Sequence, residues 1–152
     1  MDQYNMMSPQ KLAEACAQAM WNGDAASQDL GLKLERIAPG EATVSMTVSK
    51  SMTNGHGNAH GGFLFALADS AFAFACNSYN QITVGQNCTI HYLAPGTLGD
   101  RLTARATEIF RSGRSGLYDV QVTREDGMVI AEFRGHARTI KGTLLSPQND
   151  SI

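Results

Sequence analysis

The residues best suited to chemistry lie between Asn54 and Asp69. Asn54-Gly55-His56-Gly57-Asn58-Ala59-His60-Gly61-Gly62 leads without a break into an apolar stretch from Phe63 to Asn80. That stretch is too long and too rich in Ala, Leu and Phe for a strand. It reads as a helix apolar on nearly every side, which must be buried or wrapped. A helix N-terminus carries unpaired N–H groups and a partial positive charge. Gly61 and Gly62, with no side chains in the way, could therefore donate hydrogen bonds to a polarised carbonyl or an oxyanion. Eight residues beyond Gly61 stands Asp69. A carboxylate among apolar neighbours is costly to desolvate unless it is paired or used, and no Lys or Arg occurs between Ser51 and Asp100 to pair with it. Asp69 is then either tied to Ser70 or a nearby backbone group, or reserved for chemistry, as ionisable groups in apolar clefts often are.

Along a helix the separation of Gly61 and Asp69 amounts to about 12 Å, too far for both to touch one reacting carbonyl. Two such helices packed antiparallel across a dimer would set Asp69 of one copy against Gly61 of the other and form two equivalent composite sites. Other chemistries lack their patterns. His56 and His60 have a helical zinc spacing, but the intervening glycine and asparagine disfavour a helix and no Glu follows His56, so no metal site is expected. Gly55, Gly57 and Gly61 miss the G-x-G-x-x-G spacing by one position, and neither a P-loop nor a G-x-S-x-G elbow occurs.

The remaining pattern says what must hold these residues. Ser8-Pro9 opens a capped helix ending near Gly23, with Leu12, Cys16, Ala19 and Met20 as its apolar stripe. From Glu41 to Ser49, Ala42, Val44, Met46 and Val48 alternate with Thr and Ser, which predicts a strand with one buried face. Leu32 to Ile37 is its partner across Pro39-Gly40. Beyond the apolar helix, strands are predicted over Gln86–Ala94, Arg101–Phe110, Leu117–Thr123 and Met128–Ile140, turning at Pro95-Gly96, at Arg111-Ser112-Gly113-Arg114 and at Asp126-Gly127. His91 and His136 fall within these strands as ordinary half-buried histidines. The sum is an α+β fold in which a curved antiparallel sheet wraps one central helix. The sheet edges left open invite a second copy.

Length and composition narrow the possibilities further. At 152 residues, with 43% hydrophobic and 17% charged residues, the chain has the material for one domain with one core. Residues 1–152 are accordingly read as a single domain, with 1–7 and 142–152 as loose ends. A net charge of −2 leaves no surplus to coat a nucleic-acid backbone. Neither a secretory start nor an apolar run of membrane-spanning length is evident, so a cytoplasmic location without a membrane partner is expected. Cys16, Cys76 and Cys88 fit no paired zinc pattern and read as reduced, partly buried thiols.

The run from Asn54 through HGGFLFALADSAFAFACNS resembles the hotdog-fold acyl-CoA thioesterases, and most closely their phenylacetic-acid-degradation branch. The likeness continues through CTIHYLAPGTLGDRLTARA, GRSGLYDVQV and AEFRGHAR, and so covers most of the chain. The resemblance implies a hotdog fold, edge-to-edge dimers that pair into tetramers, and hydrolysis of an acyl-CoA such as phenylacetyl-CoA or hydroxyphenylacetyl-CoA. Coenzyme A is then part of the substrate and no separate cofactor is needed. It also implies that Asp69 is the catalytic carboxylate, as nucleophile or as general base, that Gly61 polarises the carbonyl, and that Asn54 and His60 position. A polar residue used by some relatives on the following strand has no clear counterpart in Gly85-Gln86-Asn87-Cys88-Thr89.

Two readings of the substrate's ends stay open. Coenzyme A brings phosphates, which Arg111 and Arg114 could meet from their turn, with Arg134 and Arg138 as further candidates. Phe63, Phe65, Phe72, Phe74 and Met52 either line an acyl pocket or pack the core. Two rival activities are also kept. A dehydratase or hydratase would use His60 with Asp69 for β-elimination, and a non-catalytic acyl-CoA sensor would use neither.

Overall fold

The computed structural model describes residues 3–146. Within them, three α-helices and six strands follow in the order α1 (Pro9–Gly23), α2 (Ala25–Asp29), β1 (Lys33–Ala38), β2 (Glu41–Thr47), α3 (Gly61–Cys76), β3 (Thr83–Tyr92), β4 (Arg101–Ser112), β5 (Ser115–Thr123) and β6 (Val129–Thr139). All strand pairs are antiparallel, and the sheet order is β1-β2-β4-β5-β6-β3. Helix α3 touches every one of the six strands, which is the wrapping that its all-round apolarity demands.

Period-two patterning builds the inner face. Ala42, Val44 and Met46 of β2, Leu102, Ala104 and Ala106 of β4, Tyr118, Val120 and Val122 of β5, and Phe133 and Ala137 of β6 are all buried. They meet Leu64, Leu67, Ala68, Ala71, Phe72, Phe74 and Ala75 from α3. Phe72 is central, with its ring 5.6 Å from Tyr118 and 5.8 Å from Phe133. It fits only because β6 carries Gly135, where a Cβ would stand 2.7 Å from the ring. Gly135→Ala should therefore destabilise the protein by about 1–3 kcal/mol through overpacking. Thermal melts check this: an unchanged melting temperature would mean that Phe72 has room to move.

Local chemistry sets the boundaries. Ser8 caps α1 by accepting from Lys11 N at 3.2 Å, and Pro9 occupies the first turn. The short α2 has no apolar period to announce it and depends on Asp24, whose carboxylate accepts from Ser27 N at 3.0 Å. Gly23 is thus the last residue of α1 rather than a stop beyond it. Strand β3 begins three residues before the predicted Gln86, since a bulge between Gly85 and Asn87 lets the glycine join β6. The expected four-residue turn at Arg111–Arg114 contracts to Gly113-Arg114, because Ser112 and Ser115 pair directly. His91 is exposed rather than half-buried, as β3 lies at the sheet edge.

At the C-terminal end of α3, a polar cluster fastens helix to sheet. Glu108 accepts from Tyr118 Oη at 3.0 Å and from Tyr79 Oη at 3.1 Å, while Ser78 Oγ accepts from Gly40 N at 2.8 Å. Near the chain ends, Gln3–Met6 form a 3-10 turn and Leu145 N donates to Asn80 Oδ1 at 2.9 Å. The outer parts of the ends expected to be loose, 1–2 and 147–152, lie outside the described residues.

Candidate active site

The glycine-rich segment is a fastened loop. Asn54 Oδ1 accepts from His56 N at 3.0 Å and from Asn58 N at 3.2 Å. The backbone closes the turn from Asn54 N to Asn58 O at 2.8 Å. Gly57 supplies the left-handed residue that this turn needs, at φ +78°. Ala59 N then donates to Gly96 O and His60 N to Met52 O, each at 2.7 Å. The loop is thus tied to neighbouring chain on both sides just before α3 begins.

His60 is the N-cap of α3, and its Nδ1 accepts from Gly62 N at 3.0 Å. This corrects one expectation: the Gly62 amide is already spent on His60 and is not open to a ligand. Gly61 N–H, by contrast, has no acceptor among the described residues. It stands at the first position of a 16-residue helix, where the helix dipole adds to its pull on negative charge. Tyr92, which no sequence signal singled out, lies alongside. Its hydroxyl donates to Gly61 O at 3.0 Å, and a Cβ on Gly61 would stand 3.0 Å from its ring. A side chain on Gly61 would crowd this ring, which is exposed and would have to shift by a few tenths of an ångström.

Asp69 is half-buried in the apolar face of α3, and burial pushes its carboxyl above the usual carboxylate range. It is not tied to Ser70, whose Oγ lies 3.3 Å from Ser27 Oγ instead, and it has neither a hydrogen bond nor an ion pair among the described residues. Its neighbours feel its charge: the Cys76 thiol is pushed up to about 12, by burial first and then by Asp69, and Cys88 is raised by the same two causes. Asp69 therefore lies within electrostatic reach of Cys76 on its own helix and of Cys88, a partly buried residue of edge strand β3 that sequence reasoning left without a role. Among the described residues no group of three His, Cys, Asp or Glu side chains could hold a metal ion.

The remaining candidates separate cleanly. Arg111 is not free for a phosphate, because it pairs with Glu108 at 3.4 Å and stacks on the Tyr79 ring at 3.5 Å. Arg134 is held by Asp119 through contacts of 2.6 and 2.8 Å. Arg114 and Arg138 have no side-chain partner among the described residues. Phe72, Phe74 and Met52 are core, at 4% exposure or less, while Phe63 and Phe65 are half-buried beside it. His60 and Asp69 make no contact with each other among the described residues, as their separation along one helix requires.

A sheet-wrapped helix with an unspent amide at its start and an unpaired carboxylate farther along defines a hotdog-fold enzyme built for a carbonyl substrate. The chain belongs to the thioesterase superfamily, which matches residues 56–131. It is 43% identical over 128 residues, 84% of this chain and 91% of the other, to the acyl-coenzyme A thioesterase PaaI of Escherichia coli. The structure of that E. coli protein, from the phenylacetic acid degradation operon, superposes with a TM-score of 0.88, 42% identity and coverage of 90% of this chain and 99% of the other. A variant of the phenylacetic acid degradation protein PaaI of Thermus thermophilus matches at 0.72 with 43% identity over 75% and 97% of the two chains. The smu.793 protein of Streptococcus mutans, bound to acetyl-CoA, matches at 0.70 with 25% identity over 74% and 90%. The chain is a thioester hydrolase. Among the described residues no helix is long and apolar enough to cross a membrane.

Proposed function

We propose that this thioesterase hydrolyses acyl-CoA, with phenylacetyl-CoA and its ring-hydroxylated derivatives as preferred substrates, to the free acid and coenzyme A. The observation that carries the reading is the pairing of two unspent groups on one helix, the Gly61 amide and the Asp69 carboxylate. An amide aimed from a helix N-terminus stabilises negative charge as it develops on the thioester oxygen. Asp69 either attacks the carbonyl carbon, giving an anhydride that water then opens, or takes a proton from the attacking water. In both routes the C–S bond breaks and the sulfur leaves as thiolate. A thiol is acidic enough, compared with an alcohol, for its thiolate to leave without a dedicated acid. Asn54 and His60 position the amide by fastening the loop and capping the helix.

The active unit in this proposal is a dimer. One chain holds Gly61 and Asp69 about 12 Å apart along α3, and Ala66, Asp69 and Ala73 form a partly exposed stripe on that otherwise buried helix, while β3 is an edge strand of the sheet. A second copy packed antiparallel on that stripe completes two sites. Pairing of dimers into tetramers and a cytoplasmic location belong to the same proposal, supported by the resemblance to the PaaI branch. The substrate half rests on the two PaaI relatives and on the acetyl-CoA-bound S. mutans structure. Free-thiol release from a panel of aromatic, short and long acyl-CoAs tests it. The expected result is a kcat/KM for arylacetyl-CoA at least about tenfold above that for linear chains, one methylene-scale pocket difference being worth that much. A flat or reversed preference overturns the acyl assignment, and no thiol from any substrate overturns hydrolysis.

A further inference from the structure

Gly61, the first residue of α3, joins two peptide units, one carrying its unspent N–H and the next carrying its carbonyl. In the first unit, His60 O accepts from Phe63 N at 2.9 Å and from Leu64 N at 3.4 Å. In the second, Gly61 O accepts from Tyr92 Oη at 3.0 Å, and Gly62 N donates to His60 Nδ1 at 3.0 Å. The His60 ring is itself braced edge-on by Phe63, with centroids 6.3 Å apart. All of these contacts except that of Tyr92 lie within residues 60–64 and travel with the helix start. Tyr92 is the last residue of β3. It is fixed in the sheet by its pairing with Ala131 and, one residue on, by Leu93 N donating to Ile130 O at 2.9 Å. The ties at Ala59 N and His60 N hold the chain just before Gly61, and Tyr92 holds it just after.

We infer that Tyr92 is a positioning residue for the reaction: by holding the Gly61–Gly62 peptide from the sheet, its hydroxyl aims the Gly61 amide at the substrate's carbonyl oxygen. Glycine is the reason a clamp is needed. Without a Cβ, Gly61 has more φ and ψ within reach than any other residue type. The first turn of a helix, short of intrahelical bonds, is also its least constrained part. An amide that stabilises developing charge must already point at the oxyanion, and a misplacement of about 1 Å costs about 100-fold. With the peptide units on both sides of Gly61 hydrogen-bonded, the direction of its N–H is set without a side chain in the way. The hydroxyl acts through the amide and not on the substrate, so its effect falls on kcat rather than on KM. The inference rests on the thioesterase reading and adds to it a residue 31 positions from the amide it serves.

Tyr92→Phe keeps the ring and removes only the hydroxyl, and at 52% exposure the side chain is not needed for folding. On a CoA thioester, kcat should fall about fivefold to tenfold with KM within about twofold. That is the size of one lost neutral hydrogen bond and the pattern of lost transition-state stabilisation. Backbone amide NMR relaxation reads the cause. The order parameter of the Gly61 N–H should fall from about 0.85, the rigid value, toward about 0.6 in the variant, while those of Leu67 and Ala68 in mid-helix stay unchanged. A fall in kcat with an unchanged Gly61 order parameter overturns the inference, because the hydroxyl would then be acting on the substrate itself. An unchanged kcat overturns it as well, as does a rise in KM alone. If the wild type releases no thiol from any acyl-CoA, it is the thioesterase reading that has failed, and the relaxation measurement still decides whether Tyr92 holds the amide.

Discussion

Asp69→Asn is expected to lower kcat/KM for a CoA thioester by about a thousandfold or more, while raising the melting temperature at neutral pH. The two effects have one cause. Burial in α3 holds the Asp69 carboxyl above its ordinary 3.8, so the folded protein binds this proton more tightly than the unfolded chain does. Stability then falls as pH climbs from 3.8 through the folded value, and above that window the whole desolvation cost is present. Asn keeps the shape and removes the charge. The stabilising effect should accordingly be largest near pH 7 and shrink as pH falls toward the unfolded carboxyl's range. Activity follows the opposite course: the ionised form is the working one, so the acid limb of kcat/KM should lie above the usual carboxylate range. A variant that is both inactive and less stable at pH 7 would mean that Asp69 is a structural partner. Undiminished thiol release would remove it from the chemistry altogether.

Mixing two inactive proteins should restore activity. Gly61→Pro deletes the amide donor but keeps a residue favoured at the first helical position. The preceding His60 already has the extended backbone that proline requires, at φ −63° and ψ 136°. Loss of one such donor should cost about 100- to 1000-fold in kcat. Gly61→Ala, which keeps the N–H and only crowds Tyr92, should cost far less. If each site joins Asp69 of one copy to Gly61 of the other, a Gly61→Pro/Asp69→Asn heterodimer has one doubly damaged site and one intact site. After full exchange of equal amounts, about a quarter of wild-type activity should return, since half the dimers are hybrids and each has one working site. The measurement is thiol release during mixing, with subunit exchange followed by mass spectrometry. Exchange without recovery would show that the site is built within one chain.

Much of the frame was legible along the chain because it depends on local periodicity. Alternation marked β2, the all-apolar composition marked α3 as the wrapped helix, and Ser8-Pro9 marked the start of α1. The elements missed were those governed by one contact. Helix α2 is held by the Asp24 cap, and the early start of β3 depends on a bulge at Gly85. At the site, Gly61 and Asp69 stood out by residue type and setting, without any contact map. What that reading could not supply was the spending of each polar group. Gly62 and Gly61 are adjacent glycines with the same apparent promise, yet the His60 ring takes one amide and leaves the other.

The sequence by itself determined the fold class, the wrapped helix and the lone carboxylate set among its apolar residues, because each follows from the pattern of neighbours a few residues away. Only the tertiary structure decided which donors and cations remain available. Tyr92 lies 31 positions from Gly61, and Arg111 and Arg138 look alike until Glu108 and Tyr79 are seen to hold the first and no side chain among the described residues the second. Hydrogen bonds and ion pairs of that kind join groups remote in the chain, and their partners are set by strand register, which no local pattern encodes.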